Sequence, residues 1–573
     1  MLVPLIFTFL ATTVFAQTVN VPLSHWIYDV LSRWETEGFI PNIFEHTKPY
    51  SRMEVAEYLK PVFEIYAEDP GKLSRVDREY LDYSAVEFRE ELERVKARLP
   101  QKIMETRFQK LKKNSPLKGI WPSWVYPNQR NTLVINHDEF NFYADPVLEG
   151  AFGKFVSAGD TLQRRNRQSD GFLMRGNMGE HIGYYFMLMQ NRLFSNPPIP
   201  NVDVLEESGF QRLDKGGSNE TNVDENVAYV TFNFKYFNIL FGREYNQWGA
   251  GEHGQLVLST NAPVMDQVKL TVRYWRFKFT YIAASLVYIA PGARKSIKDV
   301  PPTDVYWSGT RMEVNLGKGF RLGASQSVIY GGRNQQPGYL NPVAFFSSVE
   351  HFYGDLDNTA FSTDFSWRIL PGFKTYGEIL IDDNKLSKLG SDFFGNKFGY
   401  KWGTFWVNPL GVKDVDFLAE YTRVKPYVYS HTFKDFNKYK HYDTIIGDFI
   451  GPNSDDWFLR LRKYFHRRLR LEGTFEHYRH GKNLPDRNVG GDPDRPWQTG
   501  DSRRAPFLDG QLITRTVWSA ELRYEALRNL FLTGQYHLIR SESVSWRTAL
   551  FFRIGINFGY RKEIQRPFQP AIN

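Results

Sequence analysis

The segment VWSAELRY, Val517–Tyr524, decides the fold class of this chain. Its apolar and polar side chains alternate, so one face of the extended segment carries Trp518 and Leu522 while the other face is polar. The same period of two recurs at 457–462 and 469–476. Alternation of this kind predicts strands that separate an apolar environment from a polar one.

The composition fits such strands over most of the chain. Of the 573 residues, 16% are aromatic and 24% are charged, and the mean hydropathy is −0.46. This combination is typical of a transmembrane β-barrel, which has lipid outside, water inside and aromatic girdles at both rims. After residue 16 no run of 18 apolar residues occurs, so a membrane-spanning helix is not expected.

The predicted connections alternate between short and long. Tight turns are predicted near 179, 235, 276, 318, 371, 410, 467 and 528, and long polar loops over 158–170, 195–222, 245–267, 291–305, 331–357, 384–396, 427–454 and 480–512. The strands between them run for about 10 to 15 residues, enough to cross a bilayer at a tilt and longer than those of a typical soluble sandwich. The pattern predicts an outer-membrane barrel of about 18 antiparallel strands, although the connection at 541–545 is shorter than expected.

The ends of the chain differ from the barrel region. Residues 1–16 are apolar and end in Val14-Phe15-Ala16, which predicts a secretory signal peptide. Helical spacing then predicts a small periplasmic domain over 17–115, with a capping box from Ser51 to Glu54 and a third helix from Ser74 to Leu99. The remaining predicted divisions are a proline-containing linker at 116–137, the barrel at 138–560 and a tail at 561–573.

Several classes of chemistry are not expected. The chain has no cysteine, which excludes disulfides, thiolate metal sites and cysteine nucleophiles. Its net charge of +8 is spread among interleaved acidic and basic residues, so nucleic acid is not an expected partner. Strand parity places lysines, arginines and glutamates in the lumen, which predicts either a cross-strand ion network or an electrostatic filter.

The stretch 238–264 is the first candidate site. A strand ends near Phe241 and is followed by a glycine-rich segment, Trp248-Gly249-Ala250-Gly251, whose backbone can bend sharply. Aromatic faces stack on sugars, and charged or amide groups bind sugar hydroxyls. The candidate residues here are Arg243, Tyr245, Trp248, Glu252, His253 and Asn261.

A second candidate site lies in the loop 331–357 and the first residue beyond it. Its candidate residues are His351, Tyr353, Asp355, Asp357 and Asn358. Their spacing matches no strong metal or carboxylate-pair pattern, so we expect no catalytic residue, no metal and no cofactor. For both stretches two interpretations stay open: a plug that fills the barrel, or a plug that also contacts saccharide.

The two stretches together resemble the Wzi-type capsule assembly family. The resemblance rests on FGREY at 241–245, WGxG at 248–251, LSxNAP at 258–263, NP at 341–342, and EH with GDxDN at 350–358, and it covers about 130–560. It implies an outer-membrane barrel that attaches capsular polysaccharide at the cell surface by lectin-like binding and without catalysis.

The N-terminal region resembles one S-layer homology repeat. NVPLSHW at 20–26, EGFI at 37–40 and PYSRMEVA at 49–56 carry this resemblance, with Ser51 and Met53 departing from the family pattern. It implies contact with peptidoglycan or an attached cell-wall polymer through residues 20–60.

The sequence therefore predicts a mainly β protein in the outer membrane with its helical domain in the periplasm. The expected partners are extracellular or capsular polysaccharide, outer-membrane lipid and, through 20–60, cell wall. The favoured function is non-enzymatic binding, anchoring or assembly of polysaccharide. The alternatives are a porin or substrate-selective channel, and a tether between outer membrane and cell wall.

Overall fold

A closed antiparallel barrel dominates the computed structural model of the chain. The structure describes residues 19–100, 130–137, 139–157, 163–196, 206–207, 220–288, 304–383, 386–431, 435–442, 444–541, 546–557 and 563–564. The predicted signal peptide, most of the predicted linker and most of the predicted tail lie outside the described residues.

The barrel has 18 antiparallel strands within the described residues, as the sequence predicts. Each strand pairs with its neighbours in sequence, and the last strand pairs with the first, from Arg547 opposite Ser157 to Ile556 opposite Leu148. The strands are β1 Phe140–Ser157, β2 Gln163–Met178, β3 Ile182–Asn196, β4 Glu220–Asn233, β5 Phe237–Glu244, β6 Met265–Tyr274, β7 Phe277–Leu286, β8 Val305–Gly317, β9 Phe320–Gly331, β10 Asn358–Leu370, β11 Phe373–Asp383, β12 Lys397–Val407, β13 Val415–Val424, β14 Ser454–His466, β15 Leu469–Lys482, β16 Gln511–Leu527, β17 Leu530–Ser541 and β18 Arg547–Ile556.

The alternation of turns and loops is confirmed, with one error. All eight predicted tight turns join consecutive strands at one end of the barrel. The predicted loop 158–170 is wrong, because β2 already begins at Gln163. Its polar residues belong to a strand: Arg167 faces the lumen, is buried, and donates a hydrogen bond to Glu149 of β1. The short connection at 541–545 lies largely outside the described residues.

The two faces of the wall differ as the alternation predicts. Trp518 and Leu522 of β16 point outward and are about half exposed, whereas Glu521 between them is buried in the lumen. Large apolar side chains such as Phe152 and Phe241 are likewise exposed on the outside. This apolar belt is the lipid-facing surface of an outer-membrane barrel, and the end with the short turns is its periplasmic end.

A helical domain lies at the end with the short turns. Its helices are α1 Ile27–Glu37, α2 Arg52–Glu68, α3 Arg75–Glu87 and α4 Arg89–Arg94. They share a core that includes Trp34, Leu59 and Phe63. The predicted capping box is present, since Ser51 accepts a hydrogen bond from the amide of Glu54 and the Glu54 carboxylate accepts one from the amide of Ser51. Each helix of the described chain is too short or too polar to cross a membrane.

The predicted third helix is broken at Phe88 and ends at Arg94 instead of Leu99. Two arginines outside α3 explain the break, because they donate hydrogen bonds to carbonyl groups at the end of α3. Arg52 donates to the carbonyl oxygen of Glu87, and Arg130 donates to the carbonyl oxygens of Val86 and Glu87. The Arg52 guanidinium also lies 4.6 Å from the centre of the Phe88 ring.

Side chains of the domain bond directly to the barrel turns. Arg33 of α1 pairs with Asp416 at the start of β13, and the Tyr83 hydroxyl donates a 2.6 Å hydrogen bond to Glu525 near the end of β16. The strand Leu133–His137, which lies in the predicted linker, pairs with the first residues of β1. The helical domain is therefore attached to the barrel at several places around its periplasmic rim.

Candidate functional site

The glycine-rich loop folds into the barrel. We name residues 245–264, between β5 and β6, the inner loop. The amides of Gly251 and Leu256 donate hydrogen bonds of 2.5 and 3.0 Å to the two carboxylate oxygens of Glu378, on the inner face of β11. Gly249 has a φ of +133°, and a Cβ placed there would lie 2.3 Å from the Glu378 Oε1 atom. Glycine is thus required here both for the backbone conformation and for the approach of the carboxylate.

The next turn of the inner loop is held by a buried charge cluster. The amides of Glu252 and His253 both donate to Glu420 of β13. Lys401 lies 2.7 Å from Glu420 and 3.1 Å from Asp448, so its charge is shared between two carboxylates. The His253 ring stacks on Phe458 with a centroid distance of 3.7 Å. These contacts hold the backbone of this turn and the His253 ring inside the lumen.

A second loop packs on the inner loop from the outer end of the barrel. The described residues of 425–453, between β13 and β14, supply main-chain oxygens to the inner loop. The Asn261 Nδ2 group donates to the carbonyl oxygen of Ile445 at 2.8 Å, and the Ser259 hydroxyl donates to that of Gly447 at 2.7 Å. In return the Tyr429 hydroxyl donates to the carbonyl oxygen of Leu256 at 2.7 Å. An apolar core forms between the two loops and the wall, and it includes Trp248, Leu256, Trp307, Val428, Ile446 and Phe449.

The helical domain reaches the same place from the periplasmic end. Thr47 and Lys48 pair antiparallel with Trp248 and Gln247, and the amide of Gly249 donates to the carbonyl oxygen of His46 at 2.9 Å. One sector of the lumen is therefore filled by the inner loop, the loop 425–453 and the segment that joins α1 to α2.

Buried ion pairs hold that joining segment against the wall. Arg321 of β9 lies 2.7 Å from Glu35 and 3.1 Å from Glu45. His46 Nδ1 lies 2.6 Å from Asp364 of β10, and the imidazole is fully buried. Burial disfavours the charged imidazole, but the hydrogen bond and the charge of Asp364 outweigh it and raise the pKa of His46 to about 9.

The other sector of the lumen contains a cavity of about 370 Å³. Its lining includes an arginine-rich wall and the side chains of Tyr245 and Glu252. Arg462 pairs with Glu472 at 2.6 Å and with Asp29 of α1 at 3.0 Å, and Arg470 pairs with Glu521 at 3.2 Å. These contacts form a cross-strand ion network, one of the two alternatives that the sequence predicts. Arg460 lies beside the network, is 4% exposed and lines the same cavity.

The second candidate stretch is separate from the first. We name residues 337–357 the outer flap; it contains two short helices, α5 Pro337–Leu340 and α6 Phe346–Tyr353. Asp357 is buried and accepts a 2.7 Å hydrogen bond from Tyr339, and Asn358 donates to the carbonyl oxygen of Asn437 at 2.8 Å. His351 and Asp355 lie 3.6 Å apart on the surface, with about two thirds of each side chain exposed.

The eleven residues selected from the sequence therefore do not form one site. Trp248, Glu252, His253 and Asn261 lie in the filled sector of the lumen or beside the cavity, whereas Arg243 lies on the outer face of β5 and pairs with Asp266 at 2.7 Å. Tyr245 donates a 3.1 Å hydrogen bond to Glu225 of β4. Tyr353 packs edge-to-face against Tyr339, with ring centroids 5.6 Å apart.

An aromatic and basic group at the outer mouth has no counterpart among the sequence-based candidates. Phe394, in the loop 384–396, stacks on Trp497, in the loop 483–510, with centroids 4.3 Å apart and an angle of 12° between the rings. Arg503 and Arg504 lie nearby on the same loop and are exposed; the carbonyl oxygen of Arg503 accepts from the amide of Phe394. We name Phe394, Trp497, Arg503 and Arg504 the mouth group. Only a pairing between two long loops brings it together, so no local sequence pattern could have indicated it.

The described residues contain no group of three or more His, Cys, Asp or Glu side chains placed to hold a metal ion. Burial raises the pKa of Glu350, on α6, to about 7. The chemistry offered by the described site residues is hydrogen bonding, ion pairing and stacking.

The comparison with solved structures identifies the same architecture elsewhere. The barrel of Wzi, an Escherichia coli outer-membrane protein involved in group 1 capsule assembly and described as a carbohydrate-binding β-barrel, matches with a TM-score of 0.52 and 14% identity, over 94% of this chain and 99% of that chain. Two Pseudomonas aeruginosa outer-membrane proteins also match. OccK7 has a TM-score of 0.40 and 10% identity, over 72% of this chain and 98% of its own, and OprD has 0.41 and 10%, over 74% and 95%.

No curated protein sequence matches this chain. The profile of the family described as capsule assembly protein Wzi matches residues 134–545, which span β1 to β17 and both candidate stretches. The match covers well over half of the 573 residues. The chain therefore belongs to the Wzi family of capsule assembly proteins.

Proposed function

We propose that this protein binds capsular or extracellular polysaccharide at the cell surface, to anchor or assemble it, without catalysing a reaction. The observation that carries the proposal is the packing of one sector of the lumen, where the inner loop, the loop 425–453 and the helical domain meet at Trp248. A barrel packed in this way presents its chemistry at the outer mouth. Escherichia coli Wzi, a structure of the same fold, is described as carbohydrate-binding, which supports the same function.

The mouth group is our first choice for the saccharide contact. Stacked aromatic rings offer an apolar face for a sugar ring, and exposed guanidinium groups bind hydroxyl or carboxylate oxygens. His351 and Asp355 are exposed and Arg243 lies on the outer face of β5, so we assign these three residues to peripheral contacts. The candidates in the lumen hold in place the loops that form the outer surface of the protein. These candidates are Trp248, Glu252, His253 and Asn261.

Binding of an anionic capsular polymer tests this function directly. We expect the purified full-length protein in detergent to retain the polymer on a glycan array and to co-sediment with it, whereas a neutral dextran is not retained. Unchanged polymer after prolonged incubation, measured by size-exclusion chromatography, is the expected sign of a non-enzymatic contact. Absence of retention would reject the proposal.

A porin or substrate-selective channel is the alternative function. The cavity of about 370 Å³ with its arginine-rich wall favours this alternative, because charged linings select ions in outer-membrane channels. Steady single-channel conductance of the full-length protein in planar bilayers, together with failure to retain polysaccharide, would establish it.

Contact with the cell wall is a second, finer proposal for the segment that resembles an S-layer homology repeat, residues 20–60. Much of this segment is already engaged with the barrel: Asn20 donates a 2.7 Å hydrogen bond to Glu244, and Glu54 accepts one of 2.8 Å from Lys278. Exposed positions such as Gly38, Pro41 and Glu57 are left to meet peptidoglycan. Sedimentation of the full-length protein with isolated sacculi tests this contact, and a lack of retention would remove it.

A further inference from the structure

The outer flap covers a part of the barrel wall that should face lipid. Arg321 and Ser327 of β9 face the lumen, so strand parity makes Val328 and Tyr330 point outward. Outward residues nearer the periplasmic end of β9 are exposed, such as Leu322 at 41%, but Val328 and Tyr330 are fully buried. Another segment must therefore lie against the outside of the wall near the outer ends of these strands.

That segment is the outer flap. Tyr339 and Phe346 of the flap are fully buried and form one apolar cluster with Tyr281, Val328 and Tyr330. Tyr281 of β7 also points outward by parity, since Lys278 three residues earlier faces the lumen and bonds to Glu54. Its hydroxyl donates a 2.9 Å hydrogen bond to the carbonyl oxygen of Tyr339.

Two outward-facing polar side chains bind the flap as well. The amide group of Gln326 donates to the carbonyl oxygen of Ala344 at 2.7 Å, and its oxygen accepts from the amide of Phe346 at 3.0 Å. Thr359 of β10 donates to Glu350 of α6 at 2.5 Å. The flap is thus fixed to the lipid side of the wall by hydrogen bonds as well as by apolar packing.

The opposite side of the flap is apolar and uncovered. Val343 is 83% exposed and Phe352 is 86% exposed. Phe345, which is also exposed, packs on Phe361 of β10 with ring centroids 5.4 Å apart. Because Asp364 faces the lumen, Phe361 lies on the outward face of its strand and belongs to the apolar belt. The exposed rings of the flap are therefore continuous with the lipid-facing surface.

The arrangement of α6 matches an interfacial helix. Phe346, Val349 and Tyr353 pack toward the wall, and Phe345 and Phe352, seven residues apart, lie on a neighbouring face. Ser347, Ser348, Glu350 and His351 make up the polar remainder of the helix. No charged residue occurs between Pro337 and Val349. One apolar arc with a polar opposite face is the pattern of a helix that lies in a membrane surface.

We propose that the outer flap lies in the outer leaflet, where Val343, Phe345 and Phe352 contact lipid acyl chains. The occupant of this surface is lipid because the surface continues the apolar belt and because its polar face, with His351 and Asp355, is turned toward water. This inference is separate from polysaccharide binding, which uses the mouth group.

Spin labels test the proposal in the full-length protein. The chain has no cysteine, so V343C and F352C each give a single labelling position and leave the anchoring residues Tyr339 and Phe346 intact. L322C on the apolar belt is the lipid-facing reference, and S391C in another outer loop is the aqueous reference. Each labelled protein is reconstituted into vesicles of phosphatidylethanolamine and phosphatidylglycerol, and collision of the nitroxide with oxygen and with a water-soluble nickel chelate is measured.

We expect the labels at 343 and 352 to have an oxygen-to-nickel ratio close to that of L322C and several-fold above that of S391C. A ratio equal to that of S391C would overturn the proposal, because the flap would then lie in water. Labels shielded from both reagents, with a short distance between labels on different molecules, would overturn it in favour of a contact between two copies of the chain. The heat-dependent gel mobility of each variant shows that the barrel is folded.

Discussion

Thr47 of the helical domain pairs with Trp248 of the inner loop inside the barrel. The helical domain enters from the periplasmic end and the inner loop enters from the outer end, yet they share a short antiparallel ladder. The packing of this sector of the lumen therefore depends on both segments at once. A change at either partner is expected to loosen the other.

Replacement of Trp248 by Ala tests the stability of this junction. Trp248 is 1% exposed and its ring lies 5.5 Å from that of Trp307, so Trp248→Ala is expected to lower the free energy of unfolding by about 3–5 kcal/mol. The matched control is Trp275→Ala, because Trp275 is 76% exposed at a periplasmic turn. Denaturant unfolding in detergent measures both. Equal stability of the two variants would contradict the account of the junction.

Replacement of Arg321 by Met tests the ion pairs that hold the helical domain. Arg321 is fully buried between Glu35 and Glu45. Its loss removes one of the cations that these buried carboxylates share, while Lys374 stays paired with both, and is expected to cost about 1.5–3 kcal/mol. Arg504→Met removes an exposed pair with Asp392 at 3.5 Å and is expected to cost at most about 1 kcal/mol. Hydrogen exchange of the α1 and α2 amides reports detachment of the domain. Unchanged protection in Arg321→Met would refute this attachment.

Docking of the helical domain is expected to weaken in alkaline solution. The hydrogen bond between His46 and Asp364 raises the pKa of His46 to about 9 in the folded protein, above the ordinary value near 6.5. The stabilisation is therefore complete below about pH 6.5 and is lost as the pH rises through 9. The measurement is the denaturant midpoint for domain release between pH 6 and pH 9.5. His46→Gln should flatten this dependence, and the same slope in both proteins would exclude His46 as its cause.

Displacement of the inner loop is expected to open the lumen. A side chain at Gly249 would meet the Glu378 carboxylate at 2.3 Å, so Gly249→Val should push the loop away from β11. Gly390→Val is the control, because Gly390 also has a positive φ, +79°, but nothing lies within 4 Å of its Cβ position. Planar-bilayer recordings should show higher conductance for Gly249→Val than for the control. Equal conductance would mean that the inner loop does not close the lumen.

The sequence predicted the barrel well because its signal is repeated along the chain. Alternation at Trp518, Glu521 and Leu522 reappears in many strands, and the tight turns mark one end of each hairpin. Only the start of β2 was misplaced, since lumen-facing arginines such as Arg167 resemble loop residues. Membership of the Wzi family was likewise predictable, because its motifs lie on single strands and loops.

The candidate site was less predictable, because it depends on which side of the wall a loop takes. The inner loop and the outer flap both contain aromatic and acidic residues, yet Trp248 is buried in the lumen and Phe352 is exposed on the outside. Local sequence does not encode this choice, which is set by partners far along the chain, such as Glu378 for the inner loop and Tyr281 for the outer flap. The stacking of Phe394 on Trp497 depends in the same way on two distant loops.

Polysaccharide binding by the mouth group is the most direct test of the central claim. Equilibrium binding of an anionic capsular polymer is measured for the full-length protein, for Trp497→Ala and for the Trp275→Ala control at the opposite end of the barrel. Loss of one stacking contact worth about 1 kcal/mol predicts a roughly fivefold weaker Kd for Trp497→Ala and no change for Trp275→Ala. Equal affinity in all three proteins would contradict the assignment to the mouth group, and an absence of binding in all three would contradict the proposed function.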